Sequence, residues 1–217
     1  MHRIQAAEPS VNVNAIQSAV YDLGKKESTK NLFYKPLRGL FRHVDYKETS
    51  AEEIPEPVIN IDESKFYQPF ADYLVKERED CTKAISLGGA ILKWKWGTPD
   101  VYGIWTSKKT DAIQHFEIIT AEIKTDFTRA NLITGFGQAC AYLLFSHKVF
   151  FVIPKDSPPE DLDRIESLCN LFGIGLIIFN KGNPDNPGWE LKVNPISRTP
   201  DVQYANENYK QVEDKLN

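Results

Sequence analysis

Cysteine is scarce in this chain. Three of the 217 residues are cysteines, Cys81, Cys140 and Cys169, an odd number at wide spacing. This arrangement excludes a disulfide framework and lacks the close Cys/His pairs of a zinc site. We therefore expect reduced, buried thiols and a cytoplasmic protein.

Long apolar segments are also missing. No run approaches the roughly 18 apolar residues of a membrane-spanning helix, and the first residues, MHRIQAAEPS, lack the apolar core of a signal peptide. We therefore expect no membrane partner.

The chain has no overall excess of positive charge, since its formal net charge is −4. Lysine and arginine nevertheless outnumber the acids in residues 1–50 and 81–154, whereas residues 51–80 and 155–217 are acidic. A nucleic-acid surface would have to come from the two basic segments. From these counts alone, ordinary solvated charge is the favoured interpretation.

The N-terminal segment predicts a small appendage. Apolar spacing indicates a helix over residues 12–26, a second helix within residues 30–42 and a short strand over residues 43–48. Residues 1–58 would then form a helical or winged-helix-like unit that ends in the acidic, proline-containing linker AEEIPEPVI.

The rest of the chain predicts an α/β fold. An amphipathic helix over residues 63–79 precedes three closely spaced strands, after which helices alternate with two strands that are apolar on both faces. This order predicts an α/β/α sandwich around a mixed sheet, an antiparallel meander followed by helix-connected strands. We assign residues 59–200 to this core and residues 201–217 to a polar C-terminal tail.

Two acids and a lysine interrupt the apolar strands. In EIITAEIK, alternation places Glu122 and Lys124 on one face of a strand, and an antiparallel neighbour that begins with Pro99-Asp100 would bring Asp100 near Glu122. Two adjacent carboxylates repel each other, and a bound cation removes that cost. Mg²⁺ prefers such oxygen ligands, and a lysine beside it can orient or help deprotonate water.

This pattern resembles the PD-(D/E)xK motif of the restriction-endonuclease-like nuclease superfamily. Gln138 and Tyr142, on the helix that follows, resemble the QxxxY element of part of that superfamily. The resemblance covers roughly residues 60–181. For Gln138 and Tyr142 the alternative is a helix–sheet packing pair, and the sequence favours neither.

The resemblance implies a ligand set and roles. Asp100, Glu122 and the backbone carbonyl of Ile123 would hold Mg²⁺, with Mn²⁺ as a substitute, and Lys124 would position or activate water. The superfamily usually adds an acid from the first core helix, for which Glu63 and Glu77 are the candidates and Asp72 is a third.

The same letters occur twice more in the chain. Pro184-Asp185 precedes Glu190-Leu191-Lys192, and Pro200-Asp201 precedes Glu213-Asp214-Lys215. The first match leaves no room for a strand pair between its halves, and the second has no apolar strand to carry it. Context therefore selects the match at residues 99–124.

Further side chains are candidates for other roles. His115 and His147 are expected to be structural, because Mg²⁺ does not favour imidazole. Lysines and arginines of the basic segments are candidates for DNA backbone contacts: Lys35, Arg38, Arg42, Lys93 and Lys95. For Lys93 and Lys95, solvated charge at a strand edge is an equal alternative.

The sequence therefore predicts a Mg²⁺-dependent deoxyribonuclease, an endonuclease of restriction or repair type, with DNA as partner. A homodimer is a further expectation, because a double-strand cut by a single-site enzyme usually needs two copies. The alternatives are a non-catalytic DNA-binding protein on the same fold and a nuclease subunit that works only within a larger complex.

Overall fold

The computed structural model describes residues 62–88 and 98–216, together with two backbone strands in the N-terminal segment. The chain divides into two compact units, Met1–Val58 and Ile59–Asn217. Lys93 and Lys95 lie outside the described residues, as do Arg38 and the helix expected over residues 12–26.

The first unit contains an antiparallel strand pair, β1 (Phe33–Leu37) and β2 (Leu40–His43). The helix expected within residues 30–42 is therefore wrong. Pro36 lacks the N–H that a helix interior needs, and aromatic residues such as Phe33 and Tyr34 favour strands. Lys35 lies on β1 and Arg42 on β2.

The second unit alternates strands and helices. A 3-10 turn, Glu63–Phe66, leads directly into the first helix. The elements that follow are α1 (Tyr67–Lys76), β3 (Lys83–Ser86), β4 (Val101–Thr106), β5 (Phe116–Ile123), α2 (Arg129–Tyr142), β6 (Lys148–Pro154), α3 (Pro159–Phe172), β7 (Gly175–Phe179), β8 (Glu190–Val193) and α4 (Val202–Leu216).

The strands form one six-stranded mixed sheet in the order β3-β4-β5-β6-β7-β8. The pairs β3/β4, β4/β5 and β7/β8 are antiparallel, whereas β5/β6 and β6/β7 are parallel. Parallel neighbours need a crossover, which α2 and α3 supply. The predicted meander followed by helix-connected strands is confirmed.

Both faces of the sheet are covered by helices. Helix α1 packs against one face, where Ile119, Ala121 and Ile123 of β5 belong to its apolar cluster. Helices α2, α3 and α4 contribute to the cluster on the opposite face, which contains Ile118. The predicted α/β/α sandwich is therefore confirmed, and β5 alternates between its two sides.

In the second unit, two of the described elements are missing from the sequence prediction. The short strand β8 closes the sheet edge beside β7, and the segment interpreted as a polar tail is helix α4. That interpretation is wrong because some of the segment's apolar side chains lie on one helical face, where Val212 and Leu216 are buried.

The three cysteines are all free, as expected. Cys81 and Cys169 are buried, whereas Cys140 is only half-buried, so the expectation of buried thiols is correct for two of them. Among the described residues, no helix combines the length and apolar character needed to cross a membrane.

A cluster of polar side chains at the start of β5 and β6 links the segment after β8, through Ser197, to the sheet. Glu117 accepts a hydrogen bond from the Ser197 hydroxyl at 2.7 Å and pairs with the Lys148 ammonium at 2.8 Å. Burial by itself would raise the pKa of Glu117, but the hydrogen bonds from Lys148 and Ser197 hold this pKa at about 2. The charged form is therefore the favoured one in the folded protein.

We expect Glu117→Gln to lower the free energy of unfolding at neutral pH by about 1–3 kcal/mol. Because the folded pKa lies below the ordinary value of about 4.3, this stabilisation is present above that value and is lost as the pH falls towards the folded pKa. Chemical denaturation across this pH range measures the difference.

Glu190→Gln, which removes one partner of the exposed pair with Lys192, is the matched control and should change stability by less than about 1 kcal/mol. A Glu117→Gln effect that persists undiminished at acid pH would contradict the assignment.

Candidate active site

Strand pairing places the predicted acid pair at one end of β4 and β5. Val101 pairs with Ala121, so the register puts Asp100 opposite Glu122. The Ile123 N–H donates a hydrogen bond to Asp100 Oδ2 at 2.7 Å. Asp100 is 9% exposed and Glu122 is 2% exposed, so both carboxylates are largely removed from water.

Lys124 completes the predicted triad. Its ammonium lies 2.7 Å from Glu122 Oε1 and 3.4 Å from Glu63 Oε1. The charges of Glu122 and Glu63 raise the pKa of Lys124 against the opposing effect of burial. Lys124 therefore carries its proton in this arrangement and acts as a hydrogen-bond donor.

Glu63 is the first-helix acid that joins the site. Its Oε2 accepts the Thr125 N–H at 3.2 Å, and its Oε1 accepts the Tyr67 hydroxyl at 3.1 Å. Tyr67 also lies close enough to Asp100 to favour its ionised form, which opposes the rise in the pKa of Asp100. Sequence reasoning missed Tyr67, although it lies four residues after Glu63 and so faces the same way.

The other two helix acids lie elsewhere. Glu77 caps the C-terminal end of α1, and a helical rise of about 1.5 Å per residue separates it from Glu63 by roughly 20 Å. Glu77 lines a cleft of about 920 Å³ between α1 and residues 184–189. Asp72 is bound by Lys76 at 2.6 Å. Neither contacts the acid pair.

Of the QxxxY pair, Tyr142 reaches the site. Its hydroxyl donates to Glu122 Oε2 at 2.7 Å, and the ring is buried within the apolar cluster of α2. Gln138 is half-buried one turn earlier. Among the described residues, no hydrogen bond links Gln138 to the carboxylates.

The two histidines have structural contacts. The two competing motif matches lie away from the acid pair. His147 Nδ1 accepts the Ile118 N–H at 2.9 Å, and the His115 ring packs in a tilted arrangement beside Trp105. Asp201 accepts N–H groups at the start of α4. Glu190 and Lys192 pair with each other on β8.

The acid pair is electrostatically strained. Burial, and then the charge of Glu122, raise the pKa of Asp100 above its ordinary value. Burial raises the pKa of Glu122, although Lys124 and Tyr142 oppose this. Within the part of the chain that the structure describes, three carboxylates share one ammonium here, so this fully ionised cluster carries excess negative charge.

A hard divalent cation fits this donor set. Asp100 and Glu122 provide carboxylate oxygens, and Mg²⁺ commonly takes one or two carboxylates while keeping several waters. Among residues 62–88 and 98–216, no group of three or more Asp, Glu, His or Cys side chains is arranged to hold a metal ion. The fit therefore rests on two carboxylates, with the Ile123 carbonyl added by resemblance.

Comparison with protein-family models gives no match for this chain, and comparison with curated protein sequences gives none either. The functional argument therefore depends on the chain's own residues.

Proposed function

We propose that this protein is a Mg²⁺-dependent deoxyribonuclease that hydrolyses phosphodiester bonds. The observation that carries the proposal is the convergence of Asp100, Glu122 and Lys124 at one end of β4 and β5. Two buried acids and a protonated lysine are the groups required to hold a cation beside a phosphate and to donate to that phosphate. DNA as the substrate follows from the motif resemblance, as does endonuclease action of restriction or repair type.

Asp100 and Glu122 would hold the cation, which supplies Lewis-acid activation of water and phosphate when bound. Lys124 would donate to a phosphate oxygen and offset the charge that develops there. Because the Lys124 ammonium is protonated, it acts as a hydrogen-bond donor, and it could act as a base only after losing that proton. Glu63 and Tyr142 would orient Lys124 and Glu122 respectively through the contacts described above.

The proposal predicts metal-dependent cutting of DNA. Purified protein is incubated with linear duplex, single-stranded, branched and covalently closed circular DNA, in Mg²⁺, Mn²⁺ or EDTA. We expect products in either metal and none in EDTA. Cutting of the closed circle would establish endonuclease action, whereas products from linear DNA alone would indicate an exonuclease.

Two acids of the first helix region give a matched pair of variants for this assay. Glu63→Gln should slow cutting, since Glu63 contacts Lys124, whereas Glu77→Gln should not. No cutting of any substrate would contradict the proposal and favour a DNA-binding protein or a complex-dependent subunit. Equal cutting in EDTA would contradict the metal requirement.

A further inference from the structure

Helix α2 has two glycines in its interior, Gly135 and Gly137, within the run TGFGQ. A glycine inside a helix costs about 0.5–1 kcal/mol relative to alanine. Such a residue is explained when something approaches the backbone too closely for a Cβ atom.

The surroundings of the two glycines differ. A Cβ at Gly135 would lie 2.8 Å from both Cγ and Cε of Lys124, and 3.0 Å from Cε2 of Phe151. A Cβ at Gly137 would meet no atom of the described residues within 4 Å. The helix therefore has open space at one glycine and direct contact with the Lys124 stem at the other.

Lys124 has little freedom to move away. Its ammonium is held 2.7 Å from Glu122 and 3.4 Å from Glu63, while its backbone N–H donates to Val152 O. With both ends held, a Cβ at Gly135 would displace the middle of the side chain and so shift the ammonium.

We propose that Gly135 is a positioning residue for Lys124: its missing side chain leaves the slot through which Lys124 reaches Glu122 and Glu63. The inference deepens the proposed function and rests on it only for the role of Lys124 in cleavage. The steric coupling between Gly135 and Lys124 exists whether or not the protein cuts DNA.

The test is a double-mutant cycle on thermal stability in EDTA, which uses Gly135→Ala, Lys124→Ala and the double variant. In the presence of Lys124, we expect Gly135→Ala to lower Tm or leave it unchanged. In the Lys124→Ala background the two closest contacts are gone while Phe151 Cε2 remains at 3.0 Å, so the change in Tm caused by Gly135→Ala should be more favourable there than in the presence of Lys124, by about 1–4 °C. Gly137→Ala should raise Tm by a similar amount in both backgrounds.

If Lys124→Ala does not fold because Glu122 is left unpaired, the cycle is repeated in a Glu122→Gln/Lys124→Ala background. A Gly135→Ala change that shifts Tm equally with and without Lys124, in either direction, would overturn the inference.

Cleavage kinetics give the second readout. Gly135→Ala should lower kcat at least tenfold with KM for DNA within about twofold, since a misplaced donor weakens transition-state contacts rather than binding, and Gly137→Ala should change neither. If the wild-type protein does not cut DNA, the proposed function fails while the stability cycle still decides the inference. If the cycle shows coupling but kcat is unchanged, the slot exists without a catalytic consequence and the positioning role is overturned.

Discussion

Asp100→Asn should abolish metal-dependent cutting and at the same time make the metal-free protein more stable at alkaline pH. Burial and the Glu122 charge raise the folded-state pKa of Asp100. Because the pKa of Asp100 is higher in the folded than in the unfolded protein, its protonation stabilises the folded state fully at pH values below the unfolded-state pKa. This stabilisation is lost as the pH rises through the folded-state pKa. The asparagine removes the like-charge repulsion but keeps an oxygen for the Ile123 N–H.

The expected gain is about 1 kcal/mol, or a Tm increase of about 2–4 °C in EDTA. Mg²⁺ should raise Tm of the wild-type protein and leave that of Asp100→Asn unchanged, because binding to the folded state alone stabilises it. Asp185→Asn, in the competing Pro-Asp match, is the control and should retain both cutting and the Mg²⁺ response. An Asp100→Asn protein that cuts normally would show that the acid pair is not the active site.

Lys124→Met should lower the cleavage rate by about 10²–10⁴-fold, because it removes the donor to the developing phosphate charge while keeping the length of the side chain. The Mg²⁺-dependent rise in Tm should remain, since Lys124 is not a ligand. Single-turnover cleavage and thermal unfolding with and without Mg²⁺ measure the two effects.

The same substitution should also reduce stability in EDTA, by up to about 3–5 kcal/mol, because it leaves the buried Glu122 carboxylate without its ammonium. Adding Glu122→Gln should recover most of that loss without recovering cleavage. Lys192→Met provides the control, since Lys192 ends the competing Glu-Leu-Lys match on an exposed strand. Near-normal cleavage by Lys124→Met would remove the lysine from the proposed mechanism.

Local sequence was sufficient for the central strands and for the acid pair with its lysine. Strand alternation has a period of two, so Glu122 and Lys124 had to share a face once EIITAEIK was interpreted as a strand. The neighbouring Pro-Asp run then followed from the meander. The same local reasoning failed for α4, whose sparse apolar residues reveal a buried face only when the helix packs on the sheet.

The choice among first-helix acids shows where local reasoning stops. A helical pattern does not distinguish between Glu63, Asp72 and Glu77 as candidates. Only Glu63 lies at the end of the helix that meets Lys124 and Thr125, which come more than sixty residues later in the chain. That contact depends on how α1 crosses the sheet.

By itself, then, the sequence determined the α/β architecture of the second unit and the identity of Asp100, Glu122 and Lys124, since both follow from the spacing of neighbouring residues. The tertiary structure alone decided that Glu63 and Tyr67 join the cluster and that Gly135 makes room for Lys124. Those contacts join segments distant in sequence, and only the packing of helices on opposite faces of one sheet brings them together.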